Sequence, residues 1–208
     1  MTPSSRAVTA ILAVASVAAI APRALAQASS TGPDFARPGF YVHFGGATGI
    51  DVAAADELNA LLGTPGLVDV ETAIGFNARA GGRSFRRLAG EVQIEYLPAF
   101  EATAAGLVTA AEYRMLTVTG NLKLFVTTGR FQPYLLLGGG GAFASLESAF
   151  LPGLDVSADG FALRGGGGVE ASLTEHIALV VDASYVYPTG DATDLDYVSI
   201  GWGLQYRF

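Results

Sequence analysis

Charged residues recur at every second position in several segments of this sequence, separated by apolar residues. In residues 88–97, Glu91 and Glu95 hold one phase of the alternation, and Asp182 does the same in residues 176–187. Charges gathered on one face can transfer protons, guide ions along a path or neutralise one another. The polar phases of the alternating segments contain Glu71, Arg79, Glu91, Glu95, Lys123, Arg164, Glu170, Asp182 and Arg207.

Nucleophilic catalysis has little support in the residue inventory. A hydrolase or acyltransferase acting on lipid needs a histidine beside a serine and a carboxylate. The chain has two histidines and no cysteine. His176 lies in a predicted tight turn at the wrong end of the fold for such a site, and no serine shares the segment of His43. We therefore expect no enzyme activity, no catalytic residues and no cofactor.

A metal site is also not expected. Asp191, Asp194 and Asp196 are closely spaced in one loop, but they lack the glycine and the bidentate glutamate of a calcium-binding loop. We interpret them as solvated carboxylates. Most other acidic residues fall in the long connections between alternating segments, whereas Arg83, Arg86, Arg87 and Arg130 fall in the short ones.

The elements that must position these residues are β-strands. In the last segment, Val198, Ile200 and Trp202 share one face with the apolar residues that follow them, and a period of two over this length indicates a strand. Eight segments fit the same pattern. They are residues 39–49, 70–80, 88–97, 114–126, 132–145, 160–173, 176–187 and 197–208.

The connections alternate in length along the chain. Residues 81–87, 127–131 and 174–175 are predicted to be short turns, and residues 50–69, 98–113, 146–159 and 188–194 to be long loops. An even number of antiparallel strands with this rhythm is typical of a membrane-spanning barrel with tight turns at one end and long loops at the other.

Residue types decide between a soluble barrel and a membrane-spanning one. One face of the segments carries bulky Leu, Val, Ile, Phe and Tyr, and the other mixes small residues with charges, as a narrow lumen requires. Half of the residues are hydrophobic and the mean hydropathy is +0.40. In lipid, only helices and closed barrels satisfy the backbone. The sequence predicts an all-β fold, an eight-stranded antiparallel up-and-down transmembrane β-barrel.

The N-terminus has the pattern of a secretory signal. Arg6 precedes an apolar run over residues 7–21, which is shorter than the roughly 20 residues of a membrane-spanning helix, and small residues follow up to Ala26. We predict a signal peptide over residues 1–26 that directs export through the general secretory pathway, a linker over residues 27–38 and a barrel domain over residues 39–208. Losing residues 1–26 lowers the net charge from −7 to −9, which argues against a nucleic-acid partner.

The C-terminus carries a family resemblance. Ending in Tyr206, Arg207 and Phe208 after alternating apolar residues, the chain resembles the small outer-membrane β-barrel family, typified by the transmembrane domain of outer-membrane protein A, from about Pro38 to Phe208. The resemblance implies a bacterial outer-membrane location and an assembly signal read by the barrel-assembly machinery. That signal comprises Trp202, Leu204, Tyr206 and Phe208.

Function follows from how the lumen is used. Because side chains fill the interior of an eight-stranded barrel, we interpret the nine charged residues as a structural network that neutralises buried charge, and not as an ion path. We therefore expect a structural or surface-interaction role in the cell envelope, through acidic external loops and as a monomer in contact with outer-membrane lipid and lipopolysaccharide. The alternatives are a small porin for passive diffusion and, third, a lipid-modifying enzyme.

Overall fold

The structure covers most of the predicted barrel domain. The computed structural model describes residues 34–51, 68–70, 72–104, 108–148, 155–190, 193 and 195–208. The predicted signal peptide, most of the predicted linker, Glu71, Asp191 and Asp194 lie outside the described residues. Among those residues, no helix has the length and apolar character needed to cross a bilayer.

Antiparallel strands make up nearly all of the described chain. β2 and β3 pair with successive parts of β4, so together they occupy one strand position in the barrel. The closed barrel therefore has eight strand positions in up-and-down order. The predicted fold class is confirmed. The strands are β1 Gly39–Asp51, β2 Val68–Val70, β3 Ala73–Phe85, β4 Leu88–Ala104, β5 Val108–Phe125, β6 Phe131–Ser148, β7 Asp155–Ser172, β8 Ile177–Pro188 and β9 Tyr197–Arg207.

The two faces of the sheet have opposite chemistry. Bulky apolar side chains project outwards, with Phe40 77% exposed and Leu137 71% exposed, while the alternate residues point into the barrel. Glu95 and Arg164 are each only 1% exposed. A soluble barrel places its apolar face inside, so this arrangement excludes that alternative and fits a barrel surrounded by lipid.

Several predicted boundaries were wrong at the ends of strands. Residues 98–113 were expected to form a long loop, but β4 and β5 continue through them and remain paired as far as Ala104 and Val108. Between Leu97 and Phe100 the register shifts, because β4 gains one residue relative to β5. Such a bulge reverses the phase of the side chains, so the period of two that marks a strand is interrupted.

Two more connections are shorter than predicted. β3 runs to Phe85 through most of the expected turn at residues 81–87, and β6 and β7 extend to Ser148 and from Asp155 into the expected loop at residues 146–159. In the first case Gly81 and Gly82 supply no side chains from which the alternation could be recognised. The barrel wall is consequently uneven, with 17 to 18 residues in β4, β5, β6 and β7 but 11 to 13 in β8, β9 and β1.

The barrel closes where β1 meets β9. Tyr41 pairs with Arg207 and Asp51 with Tyr197 at the two ends of this ladder, and the Phe208 amide donates to the Phe40 carbonyl at 3.0 Å. The Trp202 ring crosses the ladder and covers Gly46, where an added Cβ would come within 2.5 Å of ring atom Cζ2. Glycine at this position therefore allows the indole to lie over the closing strands.

We predict that Gly46→Ala destabilises the barrel, because the new methyl group forces the Trp202 ring away from β1. Overpacking of this kind costs about 1 to 3 kcal/mol. The measurement is urea unfolding in lipid vesicles, followed by the fluorescence of the single tryptophan. Gly165→Ala is the matched control, since a Cβ at that position in β7 has no atom within 4 Å. Equal unfolding midpoints for the two variants would contradict the prediction.

Candidate functional site: the polar lumen

Four charged side chains from four strands form a compact group inside the barrel. Arg79 on β3 lies 2.7 Å from an oxygen of Asp182 on β8 and 3.8 Å from Glu91 on β4. Lys123 on β5 lies 2.7 Å from the other oxygen of Glu91. All four side chains are almost completely buried. Two cations and two anions balance within the group, which removes most of the penalty of burying them.

Tyrosines complete this group. The Tyr41 hydroxyl donates to Glu91 at 2.9 Å, and the Tyr134 hydroxyl donates to Asp182 at 3.0 Å. Each hydroxyl lies close to a glycine. A Cβ added at Gly81 would be 2.8 Å from the Tyr41 oxygen, and one added at Gly168 would be 2.8 Å from the Tyr134 oxygen. The inward-facing glycines thus create the space in which the ring and the carboxylate meet.

A second group lies farther from the chain termini. Arg164 on β7 donates two parallel hydrogen bonds, of 2.8 and 3.2 Å, to the carboxylate of Glu95 on β4. The hydroxyls of Tyr197 and Ser199 on β9 also donate to Glu95, at 3.0 and 2.8 Å. Gln93 Nε2, on the same strand as Glu95, donates to this carboxylate as well, at 3.2 Å. A carboxylate that accepts five hydrogen bonds, two of them from one guanidinium, is held in a single geometry.

The end of the lumen near the short turns is filled by the chain itself. Arg207 pairs with Glu170 there, and the segment before β1 enters the opening, with Ala36 completely buried. The carbonyl of Phe35 accepts hydrogen bonds from the side chains of Arg83, Gln132 and Arg207. Part of the predicted linker therefore packs inside the barrel.

An exposed ion pair holds the same segment from outside. Arg86 donates to both carboxylate oxygens of Asp34, at 2.8 and 3.1 Å. This hydrogen bonding holds the pKa of Asp34 below its usual range. Because both side chains are about half exposed, solvent screens the attraction and its contribution to stability is small.

The opposite end of the lumen is apolar. Leu97, Met115 and Val186 are buried inside the barrel and pack with the ring of Tyr197. The remaining buried members of this cluster are the alanines Ala47, Ala73, Ala142, Ala144 and Ala162. Among the described residues, these apolar side chains lie on the long-loop side of the Arg164–Glu95 pair.

Eight of the nine residues of the predicted lumen network are described, and all eight are buried in the barrel. They fall into three groups: Arg79 with Lys123, Glu91 and Asp182; Arg164 with Glu95; and Arg207 with Glu170. Glu71 lies outside the described residues.

Several partners of these charges were not recognised from the sequence pattern alone. Arg83, which was assigned to a short turn, is buried in the lumen because β3 continues past it. Tyr41 and Tyr197 fall in the polar phase of their strands in the sequence, but no role beside the charges was assigned to them. That phase was the signal that could have identified them.

The two histidines lie in different parts of the barrel. His43 is buried, and neither ring nitrogen bonds to a described residue. His176 lies in the turn before β8 and stacks on Tyr206 with ring centres 6.0 Å apart. Within the described ranges, no three or more His, Cys, Asp or Glu residues are grouped as they would be to hold a metal ion.

The predicted assembly-signal residues share the outer face of β9 and its end. Trp202, Leu204, Tyr206 and Phe208 are between 41% and 67% exposed, and Tyr206 and Phe208 meet edge to face with ring centres 5.2 Å apart. Their role in assembly remains a prediction.

Comparison with known families decides the class of this barrel. The outer membrane protein beta-barrel domain matches residues 8–208, almost the whole chain. The chain belongs to this family. As an outer-membrane β-barrel it has its place in the bacterial outer membrane. No curated protein sequence gives a significant match.

Solved outer-membrane barrels share the fold at low sequence identity. The crystal structure of Neisserial surface protein A is 18% identical, with a TM-score of 0.60, and the match covers 83% of this chain and 99% of that one. The outer-membrane protein OprG from Pseudomonas aeruginosa is 17% identical, with a TM-score of 0.52 over 82% of this chain and 96% of that one. These similarities support the same closed-barrel architecture.

We predict that Arg164→Met destabilises this outer-membrane barrel by about 3 to 5 kcal/mol, because it leaves Glu95 buried without its cation. The double variant Glu95→Gln with Arg164→Met should recover much of the loss, since no buried charge remains. Urea unfolding of both variants in vesicles measures the two effects. A double variant less stable than Arg164→Met alone would show that the unpaired charge is not the cause.

Proposed function

We propose that this outer-membrane protein is a closed barrel with a structural or surface-interaction role in the cell envelope, and not a diffusion pore or an enzyme. The observation that carries the proposal is the filled interior. From the turn end to the loop end, the lumen contains the segment around Phe35, the ion-pair groups and the apolar layer. Solute passage would require each of these to be displaced.

The energetic cost of opening the lumen supports a closed state. Moving Arg164 aside would break a two-pronged contact with Glu95 and leave both charges buried without a partner. Moving Lys123 would break its 2.7 Å contact with Glu91 and leave that carboxylate with the more distant Arg79, at 3.8 Å. Removing one partner of a buried pair costs several kcal/mol, so spontaneous opening is rare.

The chemistry of the loop end supports contact with other molecules. Most acidic residues outside the lumen fall in this part of the sequence, and strand register aligns four of them in one row across the sheet. Glu101 pairs in register with Glu112, Glu112 with Glu147, and Glu147 with Asp155. Surface segments carried by a rigid barrel are the usual place for recognition. One barrel of similar fold is named as a surface protein, Neisserial surface protein A.

Export and assembly of the barrel depend on its two ends. Residues 1–26 direct export through the general secretory pathway, and the barrel-assembly machinery reads Trp202, Leu204, Tyr206 and Phe208. The folded chain is a monomer whose partners are outer-membrane lipid and lipopolysaccharide. The aromatic and aliphatic side chains on the outer face support this lipid contact.

We predict that the folded barrel gives no stepwise current in planar lipid bilayers and does not speed the release of small sugars from liposomes. The physical reason is that side chains of the described residues fill the lumen in three layers. A general diffusion porin, reconstituted in the same way, is the positive control. Reproducible conductance steps that require the folded protein would instead favour the small-porin function. Turnover of phospholipid or lipid A by the purified barrel would favour an enzyme.

We predict that Phe208→Ala reduces the amount of folded barrel in the outer membrane of cells but not refolding from urea into detergent, because the assembly machinery reads this side chain. Folded protein is measured as the band that migrates faster without boiling on a denaturing gel. Phe131→Ala is the matched control, since Phe131 is also an exposed phenylalanine near the turn end. Equal losses for both variants in cells would argue against a signal at Phe208.

A further inference from the structure

An open groove crosses the lipid-facing side of β3, β4 and β5. Its volume is about 350 Å³, within the range of pockets that take small molecules. The residues that line it on the outer face are Ala80 on β3, Gly90 and Val92 on β4, and Gly120 and Leu122 on β5. Strand register brings the last four together, because Gly90 pairs with Leu122 and Val92 pairs with Gly120. The two glycines leave the space that the two larger side chains border.

The glycines of this groove have no aromatic cover. On other strands the indole ring covers Gly46, and the Phe161 ring covers Gly139, where an added Cβ would be 2.8 Å from ring atom Cζ. A Cβ at Gly90 or Gly120 would instead come no closer than 3.9 Å to any atom outside the neighbouring residues in the chain. The described side chains therefore leave this part of the surface open, and hydrocarbon from the membrane must supply the missing contacts.

The groove has the depth of one leaflet. The outer face of β5 is apolar from Leu124 at the turn end to Leu116, and the exposed Arg114 follows. Gly120 is at the middle of this apolar stretch, and Gly90 is the third residue of β4 from the turn end. The groove therefore runs from the turn end to about the middle of the apolar band. Because short turns of outer-membrane barrels face the periplasm, the groove lies in the periplasmic leaflet.

Two arginines lie at the turn end of this groove. Arg86 and Arg87 form the whole connection between β3 and β4. The Phe125 amide donates to the Arg87 carbonyl at 2.8 Å, which places Arg87 between β4 and β5, the strands that carry the two glycines. The side chain of Arg86 is paired with Asp34, whereas that of Arg87 is exposed and forms no ion pair with a described residue. An arginine at the membrane surface attracts anionic lipid headgroups.

We propose that this face binds one anionic phospholipid of the periplasmic leaflet, with an acyl chain in the groove over Gly90 and Gly120 and its phosphate at Arg87. The proposal rests on the lipid contact proposed above and adds to it a position on the barrel and a class of lipid. The groove accepts the chain of any phospholipid by apolar contact. The positive charge of the turn favours a headgroup with net negative charge.

The test uses the full barrel folded in detergent micelles that contain a small fraction of phosphatidylglycerol with a photoreactive diazirine in its acyl chain. Detergent competes for the whole outer face, so a lipid held at one place crosslinks there in excess. We expect the crosslinks, mapped by mass spectrometry of peptides, to concentrate on β4 and β5. Phosphatidylcholine with the same chain should label these strands about threefold less at equal concentration, as expected for the loss of one exposed ion pair.

Two variants separate the chain contact from the headgroup contact. Gly120→Leu should remove the excess labelling of β4 and β5, because the new side chain occupies the groove. Gly165→Leu is the matched control, since it fills a different outer-face glycine, on β7, whose Cβ would have no atom within 4 Å. Arg87→Gln should reduce the labelling by phosphatidylglycerol to that by phosphatidylcholine. Arg130→Gln is the control for charge, because Arg130 lies between β5 and β6 and already donates to two backbone carbonyls.

The outcomes distinguish this site from general contact with lipid. The gel-mobility shift of the unboiled protein verifies that each variant is folded. Even labelling of all strands in micelles, or equal labelling of β4 and β5 in the two leucine variants, would overturn the groove. Equal labelling of Arg87→Gln and Arg130→Gln by phosphatidylglycerol would overturn the headgroup contact. In vesicles of the same lipid every lipid-facing strand should react. Reaction of all strands in vesicles with no excess in micelles would leave the proposed lipid contact standing and remove this site.

Discussion

Hydrocarbon offers no hydrogen-bond partner to a backbone amide, and the rest of this structure depends on that constraint. A sheet that crosses lipid must close, and here the closure is the ladder between β1 and β9. A closed barrel of eight strands has an interior only wide enough for side chains. Polar residues that alternate with the lipid-facing ones are consequently forced together, and each must find its partner within a few ångströms.

Glycine and tyrosine share the task of fitting those partners into a narrow space. The hydroxyl of Tyr41 reaches Glu91 next to Gly81, and that of Tyr134 reaches Asp182 next to Gly168. At the middle of β9, Gly201 has the same effect, because a Cβ there would be 2.9 Å from an Arg79 nitrogen and 3.0 Å from an Asp182 oxygen. The glycine-rich composition of the inner face is thus part of the charge network.

The period of two in the sequence was enough to predict the number of strands around the barrel and the direction of each face. It could not predict which charges pair, because pairing depends on stagger between strands that are distant in sequence, such as Arg79 and Asp182. The outer parts of β4 and β5 were not predicted as strands, because the bulge after Leu97 reverses the alternation of side chains there. The entry of Phe35 into the lumen had no periodic signal, since its backbone carbonyl makes the contacts.

The strands differ in length around the barrel, so its two sides differ in height. At about 3.3 Å per residue, strands of 17 to 18 residues are roughly 20 Å longer than one of 11 residues, measured along the strand. The described rim is therefore oblique, high over β4 to β7 and low over β8, β9 and β1. A protein that diffuses in the membrane plane therefore meets long strands on one side of the barrel and short strands on the other. Rotation of the barrel about its own axis thus decides which envelope components can come close to its rim.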